Sequence, residues 1–467
     1  MWIRVAAAAI AFATIVTACT SSPSPSATTT RLPAPDPAAA YDFPAAPQVL
    51  EGPIDPALAE RLISPGTSVL NGVLDTGAVD DIAATGDARL AWYLADLLRF
   101  FQFGQEQELL IEAFVRVTGV DPSVDPAFGL SPWKSITDHL FVWDLPAFPG
   151  YREAKARVFV QVEPGWRAFF DDADADIDWR VVSWGGVFID DRPAGSTEPC
   201  PRGCIPALDD PALTDAAGGG WFPDDGTVFG VVVGDEAVAL PKNVMEVHEM
   251  VNVTIGGRRL GIPYCTLCGS AQAYLTDSVP AGVEVPVLRT SGLLTRSNKV
   301  MYDLVTSSVF DTFTGRAVSG PLREAGIVLE QVTVVTSSWG AWKQTHPGTR
   351  IVAEDGGIGA SYPSDPLGGR DDDGPIFPIG EADGRLPVQT QVVGVITPDG
   401  TPVAFPADEA RAALADGVAV GSNGVVLVTD GGGLRVETEA GDPVVSHQAF
   451  WFAWSQFHPS TEVWRRG

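Results

Sequence analysis

The residues of this chain that carry the most chemistry lie between Pro241 and Asp303. Their centre is Ile262-Pro263-Tyr264-Cys265-Thr266-Leu267-Cys268-Gly269-Ser270. Two cysteines three positions apart can turn both sulfurs toward one spot, either to close a disulfide or to hold a metal. A third use is structural, as a staple or as two packed thiols. Upstream stands Met245-Glu246-Val247-His248-Glu249-Met250-Val251-Asn252, an ionisable cluster in a chain with only five histidines. Downstream stand Ser291-Gly292-Leu293-Leu294, then Asn298 and Met301-Tyr302-Asp303.

For thiol–disulfide chemistry one thiolate must be stabilised and reachable. A neighbouring imidazolium lowers a thiol pKa, and His248 is the candidate if the fold brings it close. Glu249 could then orient that imidazole as the third member of a nucleophile–base arrangement. Cys265 is expected to be the attacking sulfur, because the first cysteine of two-cysteine redox motifs is usually the open one. Strand-like residues flank the motif on both sides, and that shape raises the competing metal reading, a knuckle. A closed tetrahedral site needs four ligands and the motif supplies two. His248 could be a third, with Glu249, Met301 or the Cys200/Cys204 pair completing the set. Zinc and iron suit such ligands, and copper(I) would suit Met245, Met250 and Met301, although methionine more often fills a core.

The order His-Glu-x-Val-Asn, Tyr-Cys-x-Leu-Cys-Gly-Ser-Ala, Ser-Gly-Leu-Leu, Ser-Asn and Met-Tyr-Asp resembles the prokaryotic domain-of-unknown-function family 3179. The similarity runs from about Gly203 to Arg350, with weaker echoes to Trp464. The family has no established reaction, so the resemblance implies a site more than an activity. Selenocysteine in the cysteine motif of some members implies redox chemistry. The resemblance also makes Asn252, Ser291, Asn298 and Asp303 pocket candidates. Arg385, in Arg385-Leu386-Pro387, is another and could pair with Glu249 or Asp303. The sequence departs from the pattern at Val253, where Asp is usual, and at Phe310 and Thr312, where Trp and Gln are common. No role is therefore carried over to residues 305–312.

The compartment decides how these thiols behave. Residues 1–19 form a leader: Arg4, an apolar run over Val5–Val16, and then Val16-Thr17-Ala18-Cys19, which resembles a lipobox cut before Cys19. Residues 20–47, rich in Ser, Thr, Pro and Ala, cannot build a core and read as a flexible tether. The expectation is a bacterial lipoprotein, extracytoplasmic and joined to the lipid bilayer only through Cys19. Disulfides persist there. The remaining four cysteines allow three pairings, and a local structural disulfide is preferred for Cys200 and Cys204. A net charge of −29 argues against nucleic acid as a partner. The partner is instead an extracytoplasmic redox protein or a small molecule.

The rest of the chain must position this motif. Its 467 residues exceed one ordinary core. The class is α+β and multidomain, with a helical domain over 48–192 followed by a β-rich mixed domain with hairpins over 193–467. From Asp87, Leu90, Leu94, Leu97, Leu98 and Phe101 fall at helical spacing. Gly104 sits where a C-terminal cap would sit, and Gln105–Thr118 repeats the pattern before Gly119. These read as a helical hairpin, with further helices over Trp133–Val142 and Tyr151–Val162 and His139 as a packed or capping histidine. Trp92, Phe100, Phe101 and Phe103 read as core or interface.

Beyond a Pro/Gly-rich passage at 193–220, Val228–Val233 and Ala237–Pro241 read as a hairpin around a Gly-Asp turn. Val392–Ile396 and Pro402–Pro406 repeat the frame, as a pseudo-repeat or as coincidence. Val425–Thr429 and Leu434–Thr438 add a hairpin. Trp339, Trp342 and His346-Pro347, and Phe450–Phe457 with His458-Pro459, read as aromatic packing. Asp371-Asp372-Asp373-Gly374 lacks the alternating ligands of a calcium loop and reads as solvated loop. The functional reading puts thiol–disulfide exchange first, a metal-site protein second, and a structural or interaction lipoprotein third.

Overall fold

The computed structural model describes residues 41–466, apart from Pro65 and residues 370–373. The leader, Cys19, most of the tether and the Asp371–Asp373 run lie outside the described residues. The chain is α+β, with its helices mostly in the N-terminal half and mixed sheets in the remainder. Among the described residues, no helix is long and apolar enough to cross a membrane.

Helices run over Pro56–Ile63, Thr76–Thr85, Ala91–Leu98, Gly104–Thr118, Pro132–Trp143, Tyr151–Val162 and Arg167–Asp171. Their starts are written in the sequence: Asp55, Asp75 and Ser131 accept from the first free backbone N–H groups. Gly86 and Gly119 end two of them in the left-handed conformation. Gly104 does not close the helix before it. It opens the next one at φ +79°, and the preceding helix stops at Leu98. Phe103, expected to pack, is 83% exposed, whereas Trp92 and Phe101 are buried. His139 is fully buried, with Nδ1 at 2.8 Å from the Ser135 carbonyl.

The helices do not close a core alone. One apolar cluster runs from Leu58 through Trp92, Phe114 and Trp166 into Leu293, Leu294, Val300 and Tyr302. Those last residues belong to a four-stranded sheet built from Val182–Trp184, Leu288–Thr295, Asn298–Asp303 and Val309–Phe310. Buried polar groups tie the same seam, as the Trp166 indole donates to the Ser291 carbonyl at 2.7 Å. The Lys155 ammonium bonds the Asp96 carboxylate and the Val182 carbonyl, at 2.7 and 2.6 Å.

The hairpin echo is a structural duplication. In the first copy, Thr227–Val233 pairs with Glu236–Pro241 and with Val334–Ser338, and Arg350–Val352 adds in parallel. In the second, Gln391–Ile396 pairs with Pro402–Pro406 and Ser446–Phe450, and Glu462–Val463 adds in parallel. Gly230 faces Ala239 and Val335, and Gly394 faces Ala404 and His447. A Cβ on either glycine would overlap an indole, Trp342 over Gly230 and Trp454 over Gly394. Each indole donates to a threonine hydroxyl at 2.9 Å, Trp342 to Thr349 and Trp454 to Thr461. Each also carries a histidine ring, His346 at 4.0 Å and His458 at 4.3 Å between centroids. The aromatic segments are thus the matched helices Trp339–Thr345 and Trp451–Phe457.

The two copies differ in what they carry between helix and returning strand. The first carries the sheet that holds the cysteines, with Met250–Ile255 against Arg258–Cys265. The second carries a sheet built from Gly421–Ser422, Val425–Asp430, Gly433–Thr438 and Pro443–Val444.

Candidate functional site

Cys265 ends the strand Arg258–Cys265, Thr266–Cys268 makes one 3₁₀ turn, and Ser270–Ala271 returns antiparallel with Ser270 opposite Cys265. Gly269 makes the return possible at φ +57°. A Cβ there would lie 2.6 Å from the Gln391 side chain and 2.8 Å from the Phe450 ring. The hairpin tip is thereby pressed into the second copy, and the cysteines share a core with Val392, Ala449, Trp451 and Trp454.

Cys265 and Cys268 form a disulfide, their Cα atoms 5.2 Å apart, and Cys200 and Cys204 form another with Cα atoms 5.3 Å apart. Both pairs are local. Cys265 is 3% exposed and Cys268 is fully buried, its sulfur 3.5 Å from the Ser297 carbonyl. Cys265 borders a cleft of about 240 Å³ with Glu246, Glu249, Thr266 and Lys299, walled by apolar residues including Leu293, Leu294, Val300 and Phe377. Cys268 is not among its lining residues.

The polar floor of the cleft is one buried unit. The Lys299 ammonium lies 2.7 Å from the Glu249 carboxylate and 2.6 Å from the Glu249 carbonyl. The other carboxylate oxygen accepts from the Thr266 hydroxyl, inside the cysteine motif, at 2.9 Å. Glu249 follows the helix Lys242–His248 at φ +51°, a conformation few non-glycine residues hold, which turns the chain into the strand Met250–Ile255. Burial pushes the Lys299 pKa down, with the Glu249 carboxylate opposing.

This differs from the arrangement expected around His248. Its ring nitrogens face the Pro206 carbonyl at 2.7 Å and the Tyr362 hydroxyl at 2.8 Å. Burial lowers its pKa, which favours the neutral ring. Glu249 orients Thr266 and Lys299, not the imidazole; adjacency in sequence has placed the two side chains on different partners. Lys299 is the residue that the sequence reading missed. Its signal was a lysine inside the strand Asn298–Asp303, where every residue is buried.

The pocket candidates hold the frame, and none lines the cleft. Asn252 ties its strand to Asp209 and to both backbone groups of Leu288. Ser291 donates to the Val300 carbonyl at 2.6 Å, beside a break in register between Thr290 and Leu294. Asp303 caps the turn through Val287 and Thr306. The Asn298 amide nitrogen lies 3.4 Å from the Gln456 side-chain oxygen. Arg385 pairs with Asp383 and with carbonyls of Pro459 and Thr461, not with Glu249 or Asp303.

Among the described residues, the group of three or more that could hold an ion is Asp190, Cys200 and Cys204, not Cys265, Cys268 and His248. The Asp190 carboxylate already receives Arg192 at 2.7 and 3.0 Å and the Ala207 N–H at 2.8 Å, with Arg289 at 3.6 Å. Two guanidinium groups on the only carboxylate, and a disulfide on the two thiols, suit a cation poorly. Met245 packs in one apolar cluster and Met250 with Met301 in another, so none of these three thioethers joins the core that holds the cysteines.

No curated protein and no solved structure matches the chain. The model of one family, described as "Protein of unknown function (DUF3179)", matches residues 202–440, the span that holds the first copy, the cysteine hairpin and the strands Gln391–Ile396 and Pro402–Pro406 of the second copy. By that match, over more than half its length, the chain belongs to the DUF3179 family.

Proposed function

We propose that this is a lipid-anchored extracytoplasmic thiol–disulfide protein that works through Cys265 and Cys268. The carrying observation is a disulfide with Cys265 lining a closed-in cleft and Cys268 fully buried away from it, next to the Lys299–Glu249–Thr266 unit. In this reading Cys265 is attacked, or attacks, and Cys268 is the resolving sulfur. Lys299 lines the same cleft as Cys265, where His248 was first expected, and its ammonium is paired with the Glu249 carboxylate. Glu249 and Thr266 hold the motif in place while the bond is open. A bond that has to open and close needs such fixed neighbours, since exchange depends on access and on which sulfur is attacked.

A mechanism-based trap tests the assignment. Cys268→Ser should accumulate a mixed disulfide on Cys265 when a low-molecular-mass disulfide RSSR is added, with RS⁻ released, while Cys265→Ser should not accumulate one on Cys268. The opposite pattern would overturn the assignment of roles, and no adduct in either would overturn the redox reading. Metal analysis of the same protein tests the second reading, a zinc, iron or copper site. The lipid anchor is tested by mass spectrometry of the N-terminal peptide, where a mature chain beginning at an unmodified residue would end that part.

A further inference from the structure

We infer that the partner of the Cys265–Cys268 pair is a low-molecular-mass thiol or its disulfide, not a cysteine on a folded protein surface. The inference rests on the thiol–disulfide reading and names its substrate class.

A sulfur can be attacked only by a thiolate that reaches it in line with the bond that breaks. Here one sulfur belongs to a residue 3% exposed and the other to a residue with no exposure. Cys265 meets open space at the cleft, and the cleft measures about 240 Å³. That is below the roughly 300–1,000 Å³ of sites that hold drug-sized ligands. The enclosing residues come from four separate parts of the chain: Val187, Ile205, the strand pair of Leu293, Leu294 and Val300, and Leu367 with Phe377. A protein cysteine could reach Cys265 only if these parts separated, and Leu293, Leu294, Val300 and Phe377 belong to the large core shared with the helices. A small thiol needs no such movement.

The exchange balances. One thiolate RS⁻ attacks the Cys265 sulfur, the Cys265–Cys268 bond breaks, and Cys268 leaves as a thiolate that takes a proton. A second RS⁻ attacks the R-bearing sulfur of the mixed disulfide and releases RSSR and the Cys265 thiolate, which is protonated in turn. Two RSH are oxidised by two electrons and the pair is reduced by two; with RSSR in excess the same steps run backward.

The test is the rate at which the native pair is reduced by 2-mercaptoethanol and by reduced thioredoxin, at equal concentrations of reactive thiolate and read by alkylation and mass of the Cys265–Cys268 peptide. The expected result is at least tenfold faster reduction by 2-mercaptoethanol. Leu367→Trp, at a half-buried position on the cleft wall, should slow 2-mercaptoethanol at least tenfold. Leu367→Ala should narrow the gap between the two reductants. Thioredoxin matching or exceeding 2-mercaptoethanol would overturn this inference and leave the redox reading standing. Native protein that neither reagent reduces, while both reduce the urea-unfolded chain, would overturn both.

Discussion

Replacing Lys299 by Met isolates what the buried ion pair contributes. Met matches the length of the lysine stem and removes the ammonium that sits on both the carboxylate and the carbonyl of Glu249. The side chains are 6% and 12% exposed, so the orphaned carboxylate cannot turn to water. Breaking such a pair from one side costs about 3–5 kcal/mol, whereas replacing both partners costs far less. Lys299→Met should therefore lower the unfolding free energy by about that amount, and adding Glu249→Gln should restore about 1–3 kcal/mol of it. The assay is urea unfolding with the disulfide intact, read as a shift in midpoint at unchanged slope. The alkaline limb gives an independent sign. The folded pKa of Lys299 lies below its unfolded value of 10.5. Between the two the unfolded chain binds more protons, so stability rises with pH up to about 10.5, and the variant should lack that rise. A loss under about 1 kcal/mol in Lys299→Met, or no recovery in the double variant, would refute the coupling.

Three further outcomes follow from the same structure. His447 is buried and held at a pKa of about 3 against 6.5 unfolded, so its contribution is full above pH 6.5 and is lost as pH falls toward 3. At pH 4.5 this removes about 2–3 kcal/mol, and His447→Val, the residue the first copy carries at Val335, should flatten the acid limb of a urea series; an unchanged limb would contradict the burial argument. Gly230→Ala and Gly394→Ala should each cost about 1–3 kcal/mol by driving a methyl group into an indole, and clearly unequal thermal shifts would count against the duplication. Limited proteolysis between Pro193 and Gly220 should yield two pieces that stay together on gel filtration, because one core runs from the helices into the strands Leu288–Thr295 and Asn298–Asp303; pieces that separate and remain folded would show two independent domains.

Local signals carried much of this fold. The helices near Gln105–Thr118, Trp133–Val142 and Tyr151–Val162 were legible, whereas the helix Thr76–Thr85 and the caps at Asp75 and Ser131 were not read. The hairpins at Gly230 and Gly394 were legible from alternation and turn residues. What made them a duplication was not, since the matching Trp, His and Thr partners lie 112–119 residues from Gly230 and 60–67 residues from Gly394 and meet only in the folded sheet. The cysteine hairpin was legible as a motif between strands. Its neighbours were not: His248 stands next to Glu249, yet the left-handed turn at Glu249 sends one side chain to Pro206 and Tyr362 and the other to Thr266 and Lys299. Lys299 is 34 residues from Cys265, and only the pairing of strands brings it to the same cleft.

The central claim is that Cys265 and Cys268 exchange electrons. A redox titration of the native protein in glutathione or dithiothreitol buffers, with thiol trapping and mass analysis of the peptide that holds both cysteines, tests it most directly. The account predicts a reversible two-electron transition at a potential above about −300 mV, with the Cys200–Cys204 pair still oxidised there. A Cys265–Cys268 pair that stays oxidised to the most reducing buffer, or thiols masked by a stoichiometric metal ion, would contradict it.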